Sequence, residues 1–231
     1  MPVSSKDARL RALRAAAAER LLDLLYPRLT CPFCGGPAGA GQDAGICPAC
    51  LAALVSTPVS VLGRVPGATG GFACALHAGP LAAAIRRFKY GPDEALGEPL
   101  GRLLAARTAM AVAAGLPVAA VVPVPLHRAR LLARGFNQAE VLAEYVARRL
   151  GVPLRRAWLR RSRRTATQAS LDRTGRLRNM RAAFRADSRV SGADILLIDD
   201  VITTGATLVA CREALAGAGS VSFATLAAAS D

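Results

Sequence analysis

Lysine is almost absent from this chain: of its 30 basic residues only Lys6 and Lys89 are lysines. Aromatic residues are also scarce, at 4%, so a nucleic-acid surface built mainly on stacked rings has few rings to use. No GxxxxGK[ST] segment occurs anywhere, which excludes a P-loop nucleotide site. The N-terminus carries Asp7, Arg9, Arg11, Arg14, Glu19 and Arg20 where a secretory signal would need an apolar run. One long uncharged stretch, Thr108 to Leu126, is broken by Gly115, Pro117, Pro123 and Pro125. It reads as a helix end followed by a buried strand, and no membrane span is expected. A soluble cytoplasmic protein is the default expectation.

What the chain has in excess is arginine. The formal net charge is +14 over 231 residues. Hydrophobic content of 52% against 20% charged excludes a fully disordered chain. The length allows one large domain, or a domain with a small module. A GC-rich genome would write arginine for lysine everywhere, but the charge here is localised. Residues 121–180 hold 14 basic and 3 acidic side chains, and so +11 of the +14. Arginine pairs bidentately with phosphate and carboxylate, so the excess points to a polyanion-facing surface.

Six cysteines fall into two kinds. Cys31-Pro-Phe-Cys34 and Cys47-Pro-Ala-Cys50 are CxxC pairs separated by 12 residues. Two such turns facing one another complete a tetrahedral zinc site. Gly35 and Gly36 follow the first pair, where a knuckle needs positive φ. Disulfides fit poorly without a secretory signal, and a redox CxxC needs a strand–helix context that the flanking Pro and Gly do not offer. Four cysteine ligands (Cys31, Cys34, Cys47, Cys50) leave no open position, so the metal is structural. Cys74 and Cys211 lie in apolar surroundings and read as core thiols.

The expected organisation is an amphipathic helix over 1–27, a four-cysteine zinc-ribbon module over 28–58, and an α/β domain over 59–231. Leu10, Leu13, Ala17, Leu21 and Leu24 form the first helix's apolar stripe, which Pro27 ends. Beyond residue 60, strand and helix patterns alternate. Strands are expected at 71–79, 119–124, 195–198 and 221–227. Helices are expected to end at Phe88-Lys89-Tyr90, and to cover 96–114, 136–150 and 206–216. Such alternation implies a mainly parallel sheet flanked by helices on both faces, with ligands at the carboxyl ends of the strands.

One strand end carries the clearest chemistry. Ile195-Leu-Leu-Ile198 runs into Asp199-Asp200, and Val-Ile-Thr203-Thr204-Gly205-Ala206-Thr207 then opens a helix. The helix N-terminus offers free N–H groups and a positive dipole end to a phosphate. Thr203, Thr204 and Thr207 add hydroxyls. The carboxylates would repel that phosphate, so they should face hydroxyls or a cation. A ribose 5-phosphate satisfies both halves. Read as a metal pair of Walker B type, the acids lack their P-loop partner; a strand-end acid pair without ligand is the other alternative.

The segment Asp199 to Thr207 resembles the phosphoribosyl pyrophosphate (PRPP) loop of type I phosphoribosyltransferases. The rest of the chain resembles one branch of them, the ComF competence proteins, in CPxCG…CPAC, Phe88-Lys89-Tyr90, Val122-Pro-Val-Pro125-Leu126, Arg134-Gly-Phe-Asn-Gln138, and Arg164-Thr165 with Gln168. The resemblance implies that Asp199 and Asp200 bind the ribose hydroxyls and influence Mg²⁺ placement, as the catalytic pair. It implies that Thr203, Thr204, Gly205, Ala206 and Thr207 hold the 5-phosphate. The turn after Pro125 becomes a pyrophosphate-facing loop with Arg128, Arg130 and Arg134 as counter-charges. Residues from about Arg160 to Arg181 become a mobile loop with Gln168, Arg173 and Arg176 as its polar candidates. Three functions follow from the resemblance: handling of single-stranded DNA in competence, phosphoribosyl transfer to an unknown acceptor, and PRPP or nucleotide sensing. Competence helicase and recombination-loading proteins are the implied partners.

Other residues have simpler readings. Lys89 reads as a solvated lysine at a helix end, and Arg134 and Gln138 as capping and solvating the following helix. The run Arg155, Arg156, Arg160, Arg161, Arg163, Arg164 reads as a solvated basic face. Within it, Trp158 is a ring able to stack a base. His127 has no evident carboxylate partner and is assigned no role.

Overall fold

The computed structural model describes residues 30–38, 45–55, 59–91, 94–161 and 183–230. The expected helix over 1–27 and the loop residues Gln168, Arg173 and Arg176 lie outside the described residues. The helices are α1 (Pro48–Val55), α2 (Gly79–Tyr90), α3 (Gly97–Ala113), α4 (Arg128–Arg134), α5 (Gln138–Leu150) and α6 (Ala206–Ala214). The strands are β1 (Val59–Ser60), β2 (Gly70–Leu76), β3 (Ala120–Pro123), β4 (Leu159–Arg161), β5 (Phe184–Ala186), β6 (Asp194–Ile202) and β7 (Ser220–Ala228).

Five strands form the main sheet in the order β1-β2-β7-β6-β3, and β4 and β5 form a separate two-stranded ribbon. Strands β2, β7, β6 and β3 run parallel, and β1 joins the β2 edge antiparallel. The other edge strand, β3, is covered by residues 153–155, where the Val121 N–H donates to the Pro153 carbonyl and the Arg155 N–H to the Val121 carbonyl. That pairing protects an otherwise open edge.

The pleat sorts the core into two layers. Cys74, Val121, Leu196, Ile198, Ala224 and Leu226 face α2, α3 and α5. Ala73, Val122, Ile195, Leu197 and Phe223 face α6 and the β4–β5 ribbon. Helices α3 and α5 approach closely because position 101 is glycine: a Cβ there would lie 2.3 Å from Tyr145 Cδ2. Cys74 and Cys211 are fully buried, as expected of core thiols.

Helix ends follow their local chemistry. The Asn137 side chain accepts the Ala139 N–H, so α5 begins at Gln138 and not at Phe136. Gly151 closes it with φ of 67°. Helix α6 stops at Ala214 with Leu215 as its cap, short of Gly217. Strand β6 extends through both aspartates to Ile202, because β7 continues to pair with it as far as Ala228.

The four cysteines Cys31, Cys34, Cys47 and Cys50 sit against the α2 face of the sheet. Cys31, Phe33, Ile46, Cys50 and Leu54 share one core with Leu81, Ile85 and Phe88. The Arg87 guanidinium donates to the Pro32 carbonyl, and Arg107 to the Leu54 carbonyl at 3.0 Å. No described helix is long and apolar enough to cross a membrane.

Candidate functional site

The site forms where β6 ends. Consecutive residues of a strand face opposite sides of a sheet, so the two acids diverge. Asp199 follows the Ile195–Leu197 parity toward Cys211 and Arg161, and Asp200 follows Leu196–Ile198 toward α2. Lys89, from the last turn of α2, reaches Asp200 with Nζ 2.9 Å from Oδ1. Both side chains are less than one-fifth exposed. Lys89 is therefore not the solvated helix-end lysine its position in the sequence implies. Its partner lies on another element, and no local pattern announces it.

The Asp200 N–H donates to Asp199 Oδ1 at 2.9 Å. Burial and the neighbouring Asp200 carboxylate push the Asp199 carboxyl up to about 7, outweighing the Asp200 amide, Lys89 and Arg161. Arg161, at the end of β4, is partly buried, and its Nε is buried with no hydrogen-bond partner among the described residues. Burial lowers its pKa, as does Arg130, while Cys211 and Asp199 oppose the shift.

Thr203, Thr204 and Gly205 form the turn into α6. Gly205 has φ of 78°, and a Cβ at that position would lie 2.2 Å from the Arg64 carbonyl oxygen. Only glycine meets both demands. Arg64 also ties the turn down: its Nη1 donates to the Thr203 carbonyl at 3.0 Å and to the Ala229 carbonyl at 2.9 Å. Thr203 and Thr204 are exposed, Thr207 is half-buried, and the first N–H groups of α6 point out of the same turn. The sequence alone missed Arg64, which lies far from the loop it holds.

Residues 124–127 leave β3 without regular structure and lead into α4, which carries Arg128, Arg130 and Arg134. His127 caps it: Nδ1 accepts the Ala129 N–H at 3.2 Å, which gives that residue a structural role. Arg130 and Arg134 line a cleft of about 540 Å³ together with Lys89, Tyr90 and Gly91. Arg128 is exposed on α4 and is not among the residues lining this cleft. The Arg134 guanidinium lies 4.7 Å from the centre of the Tyr90 ring, and its Nη1 donates to Gln138 Oε1 at 3.1 Å. Gln138 is 2% exposed, not solvated, and its Nε2 has no partner among the described residues. Lys89 thus links the acid pair to a cationic cleft. Gln168 and Arg176 lie outside the described residues.

The sulfurs of Cys31, Cys34, Cys47 and Cys50 all lie within 4.8 Å of one another. Tetrahedral zinc with Zn–S bonds of about 2.3 Å needs sulfur separations of about 3.8 Å, and Cys34 and Cys47 are 3.6 Å apart. The Cys50 N–H points at Cys47 Sγ from 3.4 Å. Burial works against the Cys31 thiolate, but backbone hydrogen bonds from Cys47, Cys34 and Phe33 outweigh it and bring the thiol down to about 6. The cluster could hold a metal ion, and the donor set fits one that prefers thiolate.

A mostly parallel sheet with an acid pair leading into a glycine-opened helix defines a domain of the phosphoribosyltransferase class. Residues 137–231 match the family model described as phosphoribosyl transferase domain. The chain is 34% identical over 187 residues to "DNA utilization protein YhgH" of Salmonella typhi, covering 80% of this chain and 77% of that protein. It is 35% identical over 134 residues to "Competence protein F" of Haemophilus influenzae, covering 56% and 58%. Against "Competence protein ComFC" of Bacillus subtilis it is 39% identical over 88 residues, covering 38% and 34%. The chain belongs to the ComF family, whose members here carry the names YhgH, competence protein F and ComFC.

Proposed function

We propose that this protein binds PRPP or a related phosphoribosyl ligand at the β6–α6 turn and acts in the handling of incoming single-stranded DNA. One observation carries the ligand reading: a carboxylate pair at a strand end runs directly into a helix N-terminus whose entry admits only glycine. The turn's amides and the hydroxyls of Thr203, Thr204 and Thr207 take the 5-phosphate. The strand-end acids take the ribose hydroxyls. Lys89, Arg130 and Arg134 face the pyrophosphate. Mg²⁺ bound with PRPP supplies charge neutralisation of the pyrophosphate. The orphaned buried donors on Arg161 and Gln138 support a ligand that completes the site.

The DNA role is supported by the relatives' names and by the arginine excess of residues 121–180. Zinc is the proposed occupant of the four-cysteine cluster, with a structural role, since all four positions are filled by sulfur. A cytoplasmic setting is part of this reading, because a four-thiolate metal site needs cysteines kept reduced. The domain division proposed is 1–27, 28–58 and 59–231, with the cysteine module docked on α2. Turnover on an acceptor is the second reading, favoured by the intact acid pair. Release of pyrophosphate from PRPP and Mg²⁺ with candidate acceptors separates a transferase from a sensor. Ligand binding itself is tested by thermal unfolding: PRPP at about 100 times its dissociation constant stabilises the native state by about 2.7 kcal/mol. Ribose lacking phosphate should give no such shift; equal shifts would refute the phosphate turn.

A further inference from the structure

The β4–β5 ribbon pairs two arginines face to face. Its register sets Arg160 directly opposite Arg185, flanked by Leu159 opposite Ala186 and Arg161 opposite Phe184. Leu159 and Phe184 are buried against the sheet, and Arg161 lies over the Phe184 ring, so Arg160 and Arg185 share the outer face. Like charges directly opposite on one face of an antiparallel pair repel. Nothing among the described residues relieves them. Asp187 is the acid that feels Arg160, and Arg189 already holds it bidentately at 2.7 and 2.8 Å. Neighbouring Arg156 is neutralised by Glu140 and Glu144.

Beside the ribbon, Arg155 lies 5.5 Å from the centre of the half-buried Trp158 ring. Arg155 has no carboxylate partner among the described residues. We infer that the outer face of the β4–β5 ribbon is a docking surface for the backbone of a single-stranded nucleic acid. Arg160 and Arg185 each neutralise one phosphate, and Trp158 with Arg155 receives a base. A lone phosphate would leave Arg155 and the ring unused; a strand with repeating phosphates and bases uses all four. The inference rests on the DNA-handling reading above but not on the phosphoribosyl site, which lies at the end of a different strand.

Trp158 is the only tryptophan, so its fluorescence reports on this surface directly. The experiment titrates an oligothymidylate of about 20 nucleotides, long enough for one such site, into the full chain across a salt series. Parent, Arg160→Gln/Arg185→Gln and Arg160→Lys/Arg185→Lys proteins are compared. Single-strand contacts contribute about 0.7 per phosphate to the log–log salt slope, so the Gln pair should lose about 1.4, or about 25-fold in affinity at about 0.1 M salt. The Lys pair should keep the slope. The parent's tryptophan should quench on binding, and PRPP binding is measured beside it in every variant. A Gln pair with the parent's slope and affinity overturns the inference, as does a parent that binds PRPP but no oligonucleotide. A protein that loses oligonucleotide binding in the Gln pair yet never binds PRPP keeps this surface and refutes the phosphoribosyl reading.

Discussion

Replacing Lys89 with methionine isolates what holds the acid pair together. At 2.9 Å and an effective dielectric of about 20, the Lys89–Asp200 attraction is about 6 kcal/mol before desolvation is charged against it. Breaking a fully buried pair by removing one partner costs about 3–5 kcal/mol. Both side chains here keep some exposure, which brings the expected loss to about 2–3 kcal/mol at about pH 8. The loss should depend on pH, because Lys89 also holds the Asp199 carboxyl down. Without the ammonium, the Asp199 pKa rises further above about 7, and the two adjacent carboxylates repel without the lysine's compensation only where both are ionised. The gap between Lys89→Met and the parent should therefore open as pH rises through about 7 and narrow toward about pH 5.5. Urea unfolding at the two pH values measures it. An equal loss at both would mean that methionine merely packs badly; no loss at the higher pH would mean that the pair contributes nothing.

Three further expectations follow from the same geometry. Gly205→Ala puts a side chain at φ of 78° and against the Arg64 carbonyl, which should cost about 2–4 kcal/mol and abolish PRPP binding; unfolding and calorimetry together check it. Asp199 is raised from 3.8 to about 7, so its folded form keeps a proton that the unfolded chain releases, and its contribution to stability is lost as pH rises between those values. Asp199→Asn should then be more stable than the parent at about pH 8, with the advantage shrinking toward about pH 4 in a pH series of melting temperatures. Chelation should remove one zinc per chain and lower the melting temperature, because Cys31 and Cys50 share a core with α2; metal analysis with unfolding curves tests both halves.

The elements legible in the sequence are those whose signals are local. Gly151 marks a helix end through a left-handed backbone that no distant residue alters, and the continuous burial of Ile195 to Ile198 in β6 follows from an apolar run that a parallel sheet buries on both faces. The acid pair and Gly205 were readable for the same reason. Lys89 was not, because its meaning depends on Asp200, which joins it only when α2 packs beside β6. Arg64 holds a loop 139 positions away, and no pattern at Leu62–Arg64 hints at that. Helix α4 escaped notice because none of its side chains is buried, so it has no apolar stripe to read. The arginine run looked like a uniform solvated face; only the β4–β5 register separates the neutralised Arg156 from the opposed Arg160 and Arg185.

The central claim is a phosphoribosyl ligand at the end of β6. Calorimetric titration of PRPP with Mg²⁺ into the parent chain should give saturable binding at one site per chain, and the Asp199→Ala/Asp200→Ala protein, folded by its melting curve, should show none. Parent-like affinity in that double variant, or no binding to the parent at all, would contradict the phosphoribosyl site.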